Sequence, residues 1–125
     1  MANRILLVED NPQNRYLVTF LLGKHGYIVD VAEDGEQALT MLDAGPEPDL
    51  ILMDMQLPKI DGYEATRRIK ADERHRHIPL VALTAHSMKG DRGKALDAGC
   101  DEYVTKPVDA EALVLLISRL ISGEE

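Results

Sequence analysis

Leu50-Ile51-Leu52-Met53-Asp54 is a run of four apolar side chains that ends on a carboxylate. An unbroken apolar run, not an alternating one, suits a parallel strand covered on both faces. The same pattern recurs along the chain. Ile5-Leu6-Leu7-Val8 runs into Glu9-Asp10, Leu80-Val81-Ala82-Leu83 into Thr84-Ala85, and Tyr103-Val104-Thr105 into Lys106-Pro107. Strands are therefore predicted at Arg4–Val8, Tyr27–Val31, Asp49–Met53, Pro79–Leu83 and Glu102–Thr105.

Amphipathic stretches lie between these runs, and that alternation predicts βα units around a parallel sheet. Asn11 with Pro12 opens the first helix, which carries Leu17, Phe20 and Leu21 as its expected core stripe before Gly26 ends it. Asp34 with Gln37 and Asp61 with Glu64 have capping-box spacing. Asp109 precedes a helix striped by Leu113, Ile117 and Leu120. The stretch from Ser87 to Ala98 is the weakest helix, with Gly90 and Gly93 inside it and Met88, Ala95 and Leu96 as its anchors. The expected fold is α/β: a doubly wound, five-stranded parallel sheet with helices on both faces.

The chain has 125 residues, a size that predicts one domain over residues 1–125. Its apolar runs are too short to span a membrane. No apolar signal region follows Met1, so the cytoplasm is the expected compartment. A net charge of −8 opposes attraction to phosphate backbones. The basic group Arg67, Arg68, Lys70, Arg74 and Arg76 reads as a solvated helix face and loop. Cys100 has no second cysteine to pair with, and His25, His75 and His77 have no metal-ligand spacing to it.

In an open parallel sheet the ligand crevice lies beyond the carboxyl ends of the strands. Glu9, Asp10, Asp54, Thr84 and Lys106 would then meet in one pocket despite their separation in sequence. For the carboxylates of Glu9, Asp10 and Asp54 to meet, the first and third strands must flank the switch point, which predicts the order 2-1-3-4-5. Carboxylate pairs about 5 Å apart repel by about 3 kcal/mol at an effective dielectric of ~20, so a cation belongs there. Mg²⁺ fits best, because it accepts a few carboxylates while keeping waters and a phosphate oxygen. With Lys106 as a second positive charge, the set suits phosphoryl transfer, and Asp54 is the candidate nucleophile.

Leu7-Val8-Glu9-Asp10-Asn11, Leu52-Met53-Asp54-Met55-Gln56-Leu57-Pro58, Ile60-Asp61-Gly62, Leu83-Thr84-Ala85 and Lys106-Pro107 together resemble the CheY-like response-regulator receiver domains. The resemblance covers essentially the whole chain. It implies a phosphoacceptor at Asp54 and Mg²⁺ held by Glu9, Asp10, Asp54 and the backbone carbonyl of Gln56. Glu9 stands where an Asp is often found, which implies a water-mediated metal contact. The Thr84 hydroxyl and the Ala85 amide would bind phosphoryl oxygens, and Lys106 would pair with them. Thr84 and Tyr103 take the switch positions, His86 borders the phosphate, and Lys106-Pro107 is expected to be a cis peptide.

The implied partners are a sensor histidine kinase or histidine phosphotransfer protein, and a downstream protein bound at the face of residues 87–121. The implied molecule is a monomer or weak dimer. No output domain follows Ile121-Ser122-Gly123-Glu124-Glu125, which favours a stand-alone regulator. Gly62-Tyr63-Glu64-Ala65-Thr66-Arg67-Arg68-Ile69 is also similar to receivers excised from hybrid kinases, and a phosphate-sink receiver is a further alternative. An aspartyl-phosphate phosphatase would need a general acid two residues past the nucleophile, where this chain has Gln56. A flavodoxin-like cofactor binder would need a Gly-rich or Ser/Thr-rich phosphate loop in place of Glu9-Asp10.

Overall fold

The computed structural model describes residues 3–55, 61–84, 91–106 and 108–123, with Asp91 and Arg92 by backbone alone. Five strands and five helices alternate: β1 (Arg4–Val8), α1 (Pro12–Lys24), β2 (Ile28–Ala32), α2 (Gly35–Ala44), β3 (Leu50–Asp54), α3 (Gly62–Ala71), β4 (Leu80–Thr84), α4 (Asp91–Ala98), β5 (Glu102–Thr105) and α5 (Ala110–Ser122). The strands form one parallel sheet in the order β2-β1-β3-β4-β5, as expected. β1 and β3, in register from Ile5↔Leu50 to Val8↔Met53, are the central neighbours that bring Glu9-Asp10 beside Asp54.

Both faces of the sheet are covered. Leu6, Val8, Ile51, Met53, Leu80 and Ala82 pack against Ala38 and Leu42 of α2, Ala65 and Ile69 of α3, and Ala95 of α4. The alternate residues Ile5, Leu7, Leu50, Leu52, Val81 and Leu83 pack against Leu22 of α1 and Leu113 and Ile117 of α5. That two-sided burial is why β3 and β4 read as unbroken apolar runs.

The helix starts follow the cap residues. Asn11 accepts the amides of Gln13 and Asn14, Asp34 that of Gln37, Asp61 that of Glu64, and Asp109 that of Ala112. β2, β3 and β4 each sit one residue later than expected, so Asp54 and Thr84 are the last ladder residues, not the first loop residues. Backbone pairing is indifferent to side-chain polarity, so a ladder can run past the last apolar residue.

α1 differs more. Leu17 and Phe20, expected in the core, are each 62% exposed, and Phe20 stacks on Tyr16 with ring centroids 6.3 Å apart. The face turned to the sheet carries Val18, Leu21 and Leu22 instead. α1 is apolar over more than one face, and packing against the sheet, beside β2, selected between them. Leu96 of α4, another expected anchor, is 44% exposed, while Ala95 is buried. Residues 87–90 of the expected fourth helix, Met88 among them, lie outside the described residues.

Candidate functional site

Backbone bonds across the sheet fix the ends of the strands that form the crevice. The Glu9 amide donates to Ala32, that of Met55 to Leu83, and that of Lys106 to Thr84. Glu9, Asp10, Asp54 and Lys106 meet on one rim. Glu9, Asp54 and Thr84 are buried, while Asp10 is exposed at the mouth.

Carboxylate oxygens of Glu9, Asp10 and Asp54 lie within 4.8 Å of one another. The Lys106 ammonium donates to Glu9 Oε1 and to Asp54 Oδ2, both at 3.2 Å. The loop below them is pinned from α1. The Arg15 guanidinium donates to the carbonyls of Glu9 and Asp10, and Glu9 Oε2 accepts the Asn11 amide at 3.3 Å. Sequence reasoning missed Arg15. Its only signal was a cation one turn into a helix that opens beside the acidic pair.

This donor set suits a hard divalent cation with oxygen ligands. Mg²⁺ binds through a few carboxylates and keeps several waters, so Glu9, Asp10 and Asp54 would hold it, and it would supply positive charge among them. Thr84 stands at the end of β4 beside the site, and Tyr103 on β5 is half-buried against the core. Gln56, Ala85, His86 and Pro107, and with it the expected cis Lys106-Pro107 bond, lie outside the described residues.

Burial pushes Glu9 up from 4.5 to about 7, and the neighbouring Asp54 adds to the shift while Lys106 and the Asn11 amide oppose it. Burial works against the charge on Lys106, but attraction to Asp54 and Glu9 outweighs it, and its pKa is raised. Glu9 thus holds its proton to higher pH in the folded chain than in the unfolded one. Between pH 4.5 and about 7 the metal-free folded protein binds more protons, so its stability falls as pH rises through that window. The loss should reach at most about 3 kcal/mol. Urea unfolding at about pH 5 and about pH 8 should show it, and Glu9→Gln should flatten the difference. An equal slope in Glu9→Gln would assign the effect to other groups.

Two other clusters read differently in three dimensions. His75, expected in a polar loop, is buried, with Nδ1 3.5 Å from Asp72. It gathers with Asp72 and Asp43, a grouping the sequence spacing did not reveal. The Arg74 guanidinium already bridges those two carboxylates at 2.8 and 2.7 Å, so their charge is answered by the protein itself. Within the basic group, Arg67 and Arg68 pair with Glu64 on an exposed face as expected, but Lys70 is largely buried, its ammonium donating to Asp101 and to the carbonyls of Arg76 and Ile78.

The family model for the response regulator receiver domain matches residues 5–118. The chain belongs to this family, the receiver domains of two-component signalling. It is 43% identical to "Hybrid signal transduction histidine kinase I" of Dictyostelium discoideum over 97% of the chain, which spans only 7% of that kinase. It is 40% identical to the polar-differentiation response regulator DivK of Brucella ovis, covering 97% of this chain and 98% of DivK. Among solved structures, the receiver domain of a sensor histidine kinase from Pseudomonas aeruginosa superposes with a TM-score of 0.90 at 42% identity, over 98% of this chain and 99% of that one. That structure has a magnesium ion coordinated in its active-site cleft.

Proposed function

We propose that Asp54 accepts a phosphoryl group from a phosphohistidine of a sensor kinase or histidine phosphotransfer protein, and that the aspartyl phosphate switches a partner-binding surface. The observation that carries this reading is the placement of Asp54. It is 2% exposed at the end of a central strand, within reach of two further carboxylates and 3.2 Å from Lys106.

An Asp54 oxygen attacks phosphorus while the phosphorus–nitrogen bond to the donor imidazole breaks, and the imidazole leaves with the bonding pair. Lys106, already aimed at Asp54, neutralises charge that builds on the phosphoryl oxygens. Thr84 and the Ala85 amide are assigned to those same oxygens. Glu9, Asp10, Asp54 and the Gln56 carbonyl would hold Mg²⁺, which supplies charge neutralisation at the transferring group. Gln56 offers no carboxyl to protonate a leaving alcohol, so turnover on external phosphate esters is not part of this reading. The protein catalyses only its own phosphorylation and dephosphorylation. We place it in the cytoplasm; no helix among the described residues is long and apolar enough to cross a membrane.

The full-length likeness to DivK supports a stand-alone regulator, and the likeness to kinase-borne receivers supports the same chemistry inside a hybrid kinase. In either setting the output surface is assigned to residues 87–121. Its described part comprises α4, the edge strand β5 with half-buried Tyr103, and α5. The phosphoryl group biases two populations of this face by drawing on Thr84, and Tyr103 turns into the space that opens.

Backbone NMR with and without beryllofluoride and Mg²⁺ tests the coupling, beryllofluoride standing in for the phosphoryl group on Asp54. Amides across 91–121 should shift together. Shifts confined to the loops around Asp54 would leave a phosphate sink as the better account.

A further inference from the structure

Gly62, the first residue of α3, is buried, and its φ lies outside the left-handed region. The backbone there is one that any residue adopts, and alanine forms helix better than glycine. Conformation therefore gives no reason for glycine, and the neighbouring atoms do. A Cβ added at Gly62 would collide with the Asp54 carbonyl oxygen, come within 2.6 Å of the Met55 Cα and sit 3.0 Å from the Asp54 carbonyl carbon. All three atoms are backbone, so no side chain can swing aside. The Gly62 amide also points back at the Met55 carbonyl, at 3.4 Å. From the other side, the Met55 amide donates to Leu83 at 2.9 Å. The Asp54–Met55 peptide is thus clamped between β4 and the bare first residue of α3.

We propose that Gly62 is a positioning residue for phosphotransfer. Its missing side chain lets the start of α3 seat directly on the Asp54–Met55 peptide and so sets the direction in which the Asp54 carboxylate leaves the strand. This rests on the reading of Asp54 as phosphoacceptor. The chemistry is sensitive to such a displacement, because in-line attack at phosphorus rewards alignment and a shift of about 1 Å in a reacting group can cost about 10²-fold in rate. A methyl at position 62 has to push either the helix or the Asp54 peptide by a comparable distance.

The test uses the full chain with Mg²⁺ and acetyl phosphate, and compares Gly62→Ala with Ile69→Val, a core substitution one to two turns further along the same helix. Gly62→Ala should move the Asp54 and Met55 amide resonances and slow labelling about tenfold or more, with little change in the acetyl phosphate concentration for half-saturation. Ile69→Val should label at the unmodified rate. Labelling of folded Gly62→Ala at the unmodified rate, or an equal loss in Ile69→Val, would overturn the proposal. If Gly62→Ala is recovered unfolded, Asp61→Ala decides, because it removes the cap on the Glu64 amide and frays the same seat. Slower labelling at unchanged half-saturation supports the role, and the unmodified rate overturns it. If the unmodified protein takes no label, the phosphoacceptor reading fails. The amide shifts of Gly62→Ala still decide whether this glycine sets the Asp54 backbone.

Discussion

Asp54→Asn is expected to take up no phosphoryl group from acetyl phosphate in the presence of Mg²⁺, under conditions in which the unmodified protein is labelled. An amide oxygen is a poor nucleophile and forms no acyl phosphate, and the other carboxylates at the rim are placed differently. Glu9 is buried beneath Lys106, and Asp10 stands at the mouth. The label on the unmodified protein should be lost in base and in hydroxylamine, as an acyl phosphate is. The substitution also removes one of the two carboxylates facing Lys106, so the folded state should survive it. Undiminished labelling of Asp54→Asn would show that another group is the nucleophile.

Lys106→Ala is the second large effect. Its ammonium is the described cation on both Glu9 and Asp54, at 3.2 Å from each. Removing it leaves two buried carboxylates facing one another. Breaking a buried ion pair in this way costs about 3–5 kcal/mol. The metal-free variant should therefore lose stability most at about pH 8, and less at about pH 5, where Glu9 takes up a proton in place of the lost ammonium. Mg²⁺ should restore part of the loss by supplying the missing charge. Asp54 and the acidic pair remain, so labelling should persist, slowed by about 10²–10³-fold. The beryllofluoride response of residues 91–121 should be largely lost, because Lys106 directly follows β5 and ties the bound group to that edge of the sheet. Unchanged urea unfolding in the metal-free state, with a full surface response, would contradict both halves of this role.

The sheet was legible because burial on both faces writes itself into sequence as unbroken apolar runs, and strand order followed from the need for Glu9-Asp10 to meet Asp54. The exact strand ends were not, since ladder bonds carry Asp54 and Thr84 one residue past the apolar run. α1 was misjudged for a related reason. With Tyr16, Leu17, Phe20, Leu21 and Leu22 all apolar or aromatic, periodicity offers more than one inward face, and only packing against the sheet picks Val18, Leu21 and Leu22.

At the site, residue types at strand ends were enough to bring Glu9, Asp10, Asp54 and Lys106 together, and to put Thr84 at the end of the strand next to Asp54. The proton affinity of Glu9 was not readable, because it depends on a burial that no spacing encodes. Arg15 and Gly62 were missed for the same reason. One acts by reaching back to the carbonyls of Glu9 and Asp10, the other by having no side chain at a backbone contact.

The most direct test of the central claim is to locate the phosphoryl group on the unmodified protein. After incubation with Mg²⁺ and acetyl phosphate, the aspartyl phosphate can be trapped by borohydride reduction and the protein digested for peptide mass spectrometry. The prediction is a single modified position at Asp54, absent when EDTA removes the Mg²⁺. Modification mapped to Asp10, to a histidine or to a hydroxyl residue instead, or labelling indifferent to EDTA, would contradict it.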